Sequence, residues 1–131
     1  MKKILVSTSS FNLAQNSDVS RLTSQGFEVI SNPYNRRLSE AEAREMLKSG
    51  IVGLIAGVER LSREILTSAQ NLQVISRCGI GLDSVDLTAA AEKGILVFNT
   101  PDAPRMSVAE LTLALILNIL RRVGEADRNI R

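Results

Sequence analysis

Histidine is absent from this sequence of 131 residues, and cysteine occurs only once, as Cys78. The lack of histidine removes the side chain that most often serves as a general base or a metal ligand near neutral pH. A single cysteine excludes an internal disulfide bond, and without histidine it leaves too few ligands for a structural zinc site. We therefore expect a cytoplasmic protein that holds no metal.

Aromatic residues are also scarce, at 3% of the sequence. Aliphatic side chains must therefore form the core, and there is no aromatic platform for stacking nucleic-acid bases. The 16 basic residues are nearly balanced by 14 acidic ones, which gives a net charge of +2. This balance argues against nucleic acid as a partner. The beginning of the chain turns polar at Ser7 and Thr8, too early for a signal peptide, so it predicts a buried strand instead.

Five short apolar runs alternate with four helical segments along the first hundred residues. The predicted strands are residues 4–6, 27–30, 51–56, 74–76 and 95–98. The predicted helices end at Gln25, Lys48, Ala69 and Lys93. This alternation predicts an α/β fold with a doubly wound, flavodoxin-like, five-stranded parallel sheet.

Three of these helices have start signals in the sequence. Ser39–Glu42 has the pattern of a capping box, in which a serine hydroxyl and a glutamate carboxylate each accept a hydrogen bond from a free backbone N–H. Ser62 and Asp86 stand where a side-chain oxygen can cap the third and fourth helices.

A different kind of helix follows the loop Asn99–Pro104, whose two prolines mark the predicted boundary between residues 1–100 and residues 101–131. Ser107–Glu110 has a second capping-box pattern. The segment from Val108 to Leu120 is apolar on nearly all sides, which predicts burial between two bodies, with a second domain or chain as one of them. It is too short and too interrupted to span a membrane, so no membrane partner is expected.

The turn Gly79-Ile80-Gly81 follows the fourth predicted strand and resembles the start of a dinucleotide-binding fingerprint. Two features of that fingerprint are missing. Ser84 stands in place of the third glycine, and Asn99 stands where an acidic residue would bind the ribose. A tight glycine turn is therefore the better interpretation, although such a turn can still bring backbone amides close to a small anion.

Three loops follow neighbouring strands at one edge of the predicted sheet, where open α/β sheets bind their ligands. They contain Ala56–Val58, Arg77–Gly81 and Asn99–Arg105. One hypothesis is a small-anion site formed by backbone amides. The alternative is that the glycines only turn the chain.

The charged residues near these loops have simpler explanations. Arg77 could bind a substrate carboxylate, but a structural ion pair with Asp83 or Asp86 is the favoured interpretation. Asp86 is expected to cap a helix, and Asp83 to stabilise a turn. Cys78 is expected to be unreactive, and Arg36–Arg37 is expected to lie in a solvated loop.

Three segments, in the same order, resemble those of the D-isomer-specific 2-hydroxyacid dehydrogenases, in particular the phosphoglycerate dehydrogenase-like members. They are LQVISRCGIGLDSVDL at 72–87, KGILVFNTP at 93–101 and SVAELT at 107–112. GLIAGV at 53–58 matches more loosely. The resemblance extends over nearly the whole chain, and three ordered motifs make it specific.

The resemblance implies that residues 1–100 form the flavodoxin-like substrate-binding domain of such an enzyme. The long helix would lead into an NAD-binding Rossmann domain and would also pack in a dimer. In the family, amides of the glycine turn hold the substrate carboxylate, and the loop after the third strand lines the pocket. The implied substrate-binding residues are Ala56, Gly57, Val58, Gly79, Ile80 and Gly81. Ile80 is also implied to lie near the nicotinamide of NAD.

The sequence departs from the family pattern in what it lacks. The catalytic Arg, Glu and His and the glycine-rich NAD loop lie further along the family's sequence, so we expect no catalytic residue and no tight NAD binding in this chain. Phosphoglycerate-type members carry a polar or basic residue at the position of Ala56 and an Asn at that of Pro104. These differences argue against phosphoglycerate as the substrate.

Three functional hypotheses follow. The first is an inactive fragment of an NAD-dependent oxidoreductase, which is favoured because the chain ends in polar Glu125–Arg131 without starting a new domain. The second is a stand-alone binding or regulatory module that binds a small 2-hydroxy or 2-oxo acid weakly. The third is a structural partner that forms a homodimer, or pairs with a full-length relative, through the helix Ser107 to Leu120.

Overall fold

The computed structural model of the chain describes residues 1–9, 13 and 16–130, which divide into two compact units, Met1–Thr100 and Pro101–Arg131. The first unit contains one sheet, whose strands are β1 Lys2–Val6, β2 Phe27–Ser31, β3 Ile51–Ala56, β4 Val74–Arg77 and β5 Leu96–Asn99. The strands lie in the order β2-β1-β3-β4-β5, and all neighbours are parallel. The predicted five-stranded parallel sheet is confirmed, in the strand order of flavodoxin-like folds.

Four helices connect these strands: α1 Ser17–Ser24, α2 Glu40–Leu47, α3 Arg63–Ser68 and α4 Leu87–Glu92. β5 begins one residue later than predicted, at Leu96. The physical reason is that the Ile95 amide donates to Ala90 O at 2.9 Å, so Ile95 ends the turn after α4 rather than starting the ladder. Its side chain is nevertheless buried in the core.

The core is organised by the register of the strands. One row of apolar residues crosses the sheet at the same level: Ile30, Leu5, Leu54, Ile75 and Val97. The three central members of this row are at most 2% exposed, and the two edge members pack against the core from partly buried positions. Because each fully buried aliphatic side chain contributes roughly 1.5–3 kcal/mol, this row fixes the strand register.

The helix start signals differ in their outcome. The capping box at Ser39 is present, with Ser39 N donating to Glu42 Oε2 at 2.8 Å and Glu42 N donating to Ser39 Oγ at 3.3 Å. Asp86 caps α4 by accepting from Ala89 N at 2.8 Å. Ser62 occupies the N-cap position of α3, but its hydroxyl makes no capping hydrogen bond. The prediction is therefore right about the position of Ser62 and wrong about its hydrogen bond.

The second unit consists of α5, Arg105–Leu120, and α6, Val123–Ile130. The predicted capping box at Ser107 is wrong, because Ser107 lies inside the first turn of α5. Pro104 is the N-cap, with φ −88° and ψ −5°, and its carbonyl already accepts from Val108 N at 2.9 Å. The proline ring holds φ near the helical value, so the helix starts before the serine is reached.

The helix α6 was not predicted from its polar sequence. It is separated from α5 by Arg122, whose φ of +52° is unusual for a residue other than glycine. In the described residues of α5 no side chain is buried, and Leu113 and Ile119 are 62% and 76% exposed. None of the described helices is long and apolar enough to cross a membrane.

Candidate functional site

The carboxyl ends of three neighbouring strands lie level with one another. Ala56 at the end of β3 pairs in register with Arg77 at the end of β4, and Arg77 pairs with Asn99 at the end of β5. The ladder continues for one more bond, because Cys78 N donates to Ala56 O at 2.9 Å. The loops that follow therefore begin at the same edge of the sheet, where open α/β sheets bind their ligands.

The glycine turn after β4 is held by residues at the end of β5. Gly79 N donates to Thr100 Oγ1 at 2.7 Å, and Thr100 N donates back to Gly79 O at 3.0 Å. Asn99 Nδ2 donates to Ile80 O at 2.8 Å. Among the described residues, nothing accepts a hydrogen bond from the amides of Ile80 and Gly81. The turn is thus fixed through its carbonyls and its first amide, and two consecutive N–H groups stay open.

Arg77 does not form the ion pair that the sequence suggested with Asp83 or Asp86. Its Nη1 donates to Cys78 O, so the guanidinium folds back over the glycine turn. A Cβ placed on Gly79 would lie 1.5 Å from Nη1, which shows how closely the cation covers that residue. The Nε of Arg77 is buried and has no partner among the described residues.

Asp86 is unavailable to Arg77 because other groups hold its carboxylate. Oδ1 caps α4, and Oδ2 lies 3.9 Å from Nε of Arg63. Asp83 lies beside the glycine turn: its Oδ2 is 3.0 Å from the position that a Cβ on Gly81 would take. The Arg77 charge therefore stays at the carboxyl edge of the sheet, where it can act on a bound ligand.

The thiol of Cys78 is exposed on the same edge. Partial burial of the sulfur raises the pKa of Cys78, an effect that the Arg77 cation opposes and the Glu59 carboxylate reinforces. A thiol with a raised pKa is protonated near neutral pH and is a weak nucleophile. This agrees with the interpretation of Cys78 as unreactive.

The loop after β3 contains a carboxylate that sequence reasoning missed. Glu59 is only 2% exposed, and its carboxylate accepts hydrogen bonds from the Ser7 hydroxyl and from the Gly57 amide. The Gly57 amide is thus occupied and is not open to a ligand. The residues on either side of Gly57 differ in accessibility: Ala56 is 1% exposed and Val58 is 55% exposed.

A cavity of about 220 Å³ lies between the ends of β1, β3 and β4. Its lining residues are Ser7, Thr8, Ser9, Arg37, Gly57, Val58, Glu59 and Cys78. Four of these, Ser7, Thr8, Ser9 and Arg37, come from segments that the sequence analysis did not connect with a site. The sequence feature that could have indicated this cavity is Glu59, an acidic residue three positions after the end of β3.

Arg36 and Arg37, predicted as a solvated pair, have different surroundings. Arg36 binds the Glu42 carboxylate with both terminal nitrogens, at 2.9 and 2.7 Å, and lies 5.0 Å from the centre of the Tyr34 ring. Arg36 nevertheless lies exposed in the loop between β2 and α2, as predicted, and the structure adds a carboxylate partner that the prediction lacked. Arg37 is exposed and lines the 220 Å³ cavity, and no described carboxylate forms an ion pair with it.

A larger cavity, about 570 Å³, lies beside the starts of α2, α3 and α4. Its charged residues are largely paired with one another: Arg60 lies 3.8 Å from Glu40, and Arg63 binds Glu92 at 2.5 Å in addition to contacting Asp86. Such pairing is typical of a solvated surface, and the open amides lie elsewhere. In the described part of the chain no cluster of His, Cys, Asp and Glu could hold a metal ion.

Comparison with known proteins gives a consistent set of relatives. Residues 4–126 match the family described as D-isomer specific 2-hydroxyacid dehydrogenase, catalytic domain. The D-3-phosphoglycerate dehydrogenase of Methanocaldococcus jannaschii is 38% identical over 94 residues, which cover 72% of this chain and 18% of that protein. This chain therefore spans less than a fifth of the length of that curated relative.

Two crystal structures share the fold over most of this chain. The TT0316 protein from Thermus thermophilus superposes with a TM-score of 0.82 and 36% identity, over 95% of this chain and 38% of its own. The NAD⁺-bound 3-phosphoglycerate dehydrogenase of Entamoeba histolytica superposes with a TM-score of 0.71 and 27% identity, over 89% of this chain and 38% of its own. In both, more than half of the solved chain has no counterpart here.

Proposed function

Because this chain belongs to the D-isomer specific 2-hydroxyacid dehydrogenase family, we propose that it is the substrate-side part of an NAD-dependent dehydrogenase. The enzyme interconverts a 2-hydroxy acid and the matching 2-oxo acid, and NAD carries the hydride that leaves or joins C2. The task of these 131 residues is to hold the acid. The catalytic Arg, Glu and His belong to an NAD-binding domain outside these residues, and the chain is inactive alone.

One observation carries this proposal: the two open amides of Ile80 and Gly81 at the carboxyl edge of the sheet. Consecutive N–H groups in a tight turn form a concave site for a small anion such as a carboxylate. The Gly79 and Gly57 amides already donate to Thr100 and Glu59, so they serve to fix the loops. The substrate carboxylate is held by the next two amides, with the Arg77 cation beside them.

The fit of the chain to NAD is limited to one end of the cofactor. Ile80 is 51% exposed and offers an apolar surface for the nicotinamide ring. The diphosphate does not fit at the following helix, because the N-terminus of α4 is already capped by the Asp86 carboxylate, which repels a second anion there. The diphosphate site therefore belongs to the proposed second domain.

The direct test is a titration of the ¹⁵N-labelled chain with D-lactate, followed by NMR, in parallel with an assay using NADH and pyruvate. We expect the amide signals of Ile80 and Gly81 to shift first and the chain to show no turnover above a buffer blank. D-lactamide, which has the same shape without the charge, is the control and should shift these signals far less. Shifts confined to the amino ends of the strands, or turnover by a preparation free of host enzymes, would contradict the proposal.

A second candidate function is a stand-alone module that binds an acid or assembles with another copy of the family. The observation that favours it is the exposure of apolar side chains on every side of α5, as at Leu113, Leu115 and Ile119. Such a surface requires a covering partner in solution. The two candidates share the acid site and differ in whether the second domain belongs to the same polypeptide.

A further inference from the structure

Glu59 is a buried carboxylate in the loop after β3. Its side chain is 2% exposed, yet no described lysine or arginine forms an ion pair with it. Burying an ionised group is costly unless hydrogen bonds and charges compensate it. The donors that reach Glu59, the Ser7 hydroxyl and the Gly57 amide, are both neutral. A carboxylate kept in such a place requires an explanation beyond packing.

The hydrogen bonds that Glu59 accepts from described residues leave one acceptor position of its carboxylate open. Oε1 accepts from the Ser7 hydroxyl and, at 3.2 Å, from the Gly57 amide. Among the described residues, only that same amide donates to Oε2, at 3.1 Å. An ionised carboxylate has about four lone-pair positions. Three of them are used by described residues, and Glu59 lines the 220 Å³ cavity at the carboxyl edge of the sheet.

This cavity adjoins the proposed carboxylate site. Cys78 lines the cavity, and Ile80 and Gly81 follow it in the same turn. Ile80 follows Cys78 by two residues, which span at most about 7 Å, so the cavity begins within about 7 Å of the first of the two amides. The part of a 2-hydroxy acid that points away from its carboxylate is the group on C3.

We propose that the cavity receives the C3 substituent and that Glu59 selects one that donates a hydrogen bond, a hydroxyl or an ammonium group. A methyl group cannot use the open acceptor, and a second anion is repelled by Glu59. This inference rests on the proposed function, and it adds the class of substrate that the site prefers. Glu59 is then a specificity-determining residue.

Arg37 is the one cation among the described residues that line the cavity, and its effect on an anionic substituent is weaker than that of Glu59. Arg37 is exposed, so water and salt screen its charge, whereas Glu59 is almost fully buried and is screened far less. The net electrostatic interaction of these two residues with a phosphate or carboxylate at the inner end of the cavity is therefore repulsive. The same interaction is favourable for a hydroxyl and more so for an ammonium group.

The test uses the full chain and four acids that differ only at C3: D-lactate, D-glycerate, D-isoserine and D-malate. Dissociation constants come from the NMR shifts of the Ile80 and Gly81 amides, and cavity occupancy from those of Gly57 and Cys78. We expect D-glycerate and D-isoserine to bind about fivefold to tenfold more tightly than D-lactate, as one added hydrogen bond predicts. D-malate should bind more weakly than D-lactate.

The variant Glu59→Gln keeps the size of the side chain and removes its charge. We expect the affinity for D-isoserine relative to that for D-malate to fall about tenfold in this variant, as the loss of one buried charge predicts. Glu64→Gln, at an exposed site on α3, should leave this ratio unchanged. A ratio within one variant cancels any general loss of affinity, and the wild-type series alone decides the matter if Glu59→Gln does not fold.

The outcomes separate the two proposals. Shifts at Ile80 and Gly81 with equal affinity for all four acids, or tight binding of D-malate in the cavity, overturn the selectivity of Glu59 and leave the carboxylate site intact. The absence of any shift at Ile80 and Gly81 overturns the proposed function, and the selectivity with it.

Discussion

Glu42 takes part in two interactions at the start of α2, and both favour its ionised form. Its carboxylate accepts two hydrogen bonds from the Arg36 guanidinium and one from the Ser39 amide. The Arg36 hydrogen bonds are the main cause that lowers the pKa of Glu42 to about 2, with the Ser39 amide second. One side chain thus links the β2–α2 loop to the first turn of the helix.

This lowered pKa predicts a pH dependence of stability. Because the folded-state pKa lies below the ordinary value of 4.5, the contribution of Glu42 is complete above pH 4.5 and is lost as the pH falls towards 2. We expect Glu42→Gln to lower the thermal midpoint at about pH 6 and to flatten its fall between pH 4.5 and 2. Thermal melts monitored by circular dichroism at several pH values measure both effects.

The control for this prediction is Glu45→Gln on the same helix. Glu45 is 76% exposed, and its one ion pair among the described residues is with Lys48, at 3.0 Å, so its replacement should leave the pH profile of the wild type almost unchanged. Identical profiles for Glu42→Gln and Glu45→Gln would mean that the negative charge of Glu42 adds nothing to stability.

At the scale of single residues, only part of the candidate site could be predicted from the sequence. Ile80 and Gly81 could be predicted, because a glycine turn after a strand is a local pattern and the strand order brings it to the edge. The contact of Glu59 with Ser7 could not, because it joins residues 52 positions apart and neither lies in a motif. Local spacing also could not show that Arg77 folds over Gly79 instead of reaching Asp83 or Asp86.

Among the connecting segments, the turn between β4 and α4 is the most constrained by its geometry. Gly79 has a φ of +140°, which side-chain-bearing residues rarely adopt, and the Arg77 guanidinium occupies the space of a Cβ. We expect Gly79→Ala to destabilise the chain by about 1–3 kcal/mol, since it adds backbone strain and displaces Arg77. Urea unfolding measures the change, and the NMR signals of Ile80 and Gly81 report the turn itself.

Gly81→Ala is the matched control in the same turn. Its Cβ would meet only the Asp83 carboxylate, at 3.0 Å, which can rotate away, so the loss should be clearly smaller. If Gly79→Ala unfolded at the same urea concentration as the wild type, the strain assigned to this turn would be absent.

The helices show why element ends are harder to predict than elements. Ser39 and Ser107 begin the same four-residue pattern, yet only Ser39 caps a helix. The difference lies three residues upstream of Ser107, where Pro104 starts the helical conformation early. The strands were predicted to within two residues, because alternating burial and short apolar runs depend on the core and not on a single capping contact.

On the scale of the whole molecule, the apolar surface of α5 predicts self-association. Leu113, Ile116, Leu117 and Leu120 share one face and are 48% to 71% exposed. Burying several such side chains, at roughly 1.5–3 kcal/mol each, can exceed the entropic cost of association. We expect a homodimer through Ser107 to Leu120, seen by light scattering or sedimentation at micromolar concentration.

The double variant Ile116→Lys, Leu120→Lys should shift the chain to monomers, while Asn118→Lys, which replaces a polar residue on the opposite side of the same helix, should shift it less. A wild-type chain that is strictly monomeric with α5 folded would refute the prediction. Dimers that persist unchanged in the double variant would place the interface elsewhere.

The division into two units has a consequence for the way the chain is made on the ribosome. All five strands and the buried core lie in the first hundred residues, so the sheet has every partner it needs before residues 101–131 are translated. At roughly 5–20 residues per second, residues 101–131 take roughly 2 to 6 seconds to synthesise. The five strands therefore leave the ribosome before the apolar α5, and the sheet can begin to pair its strands before α5 emerges.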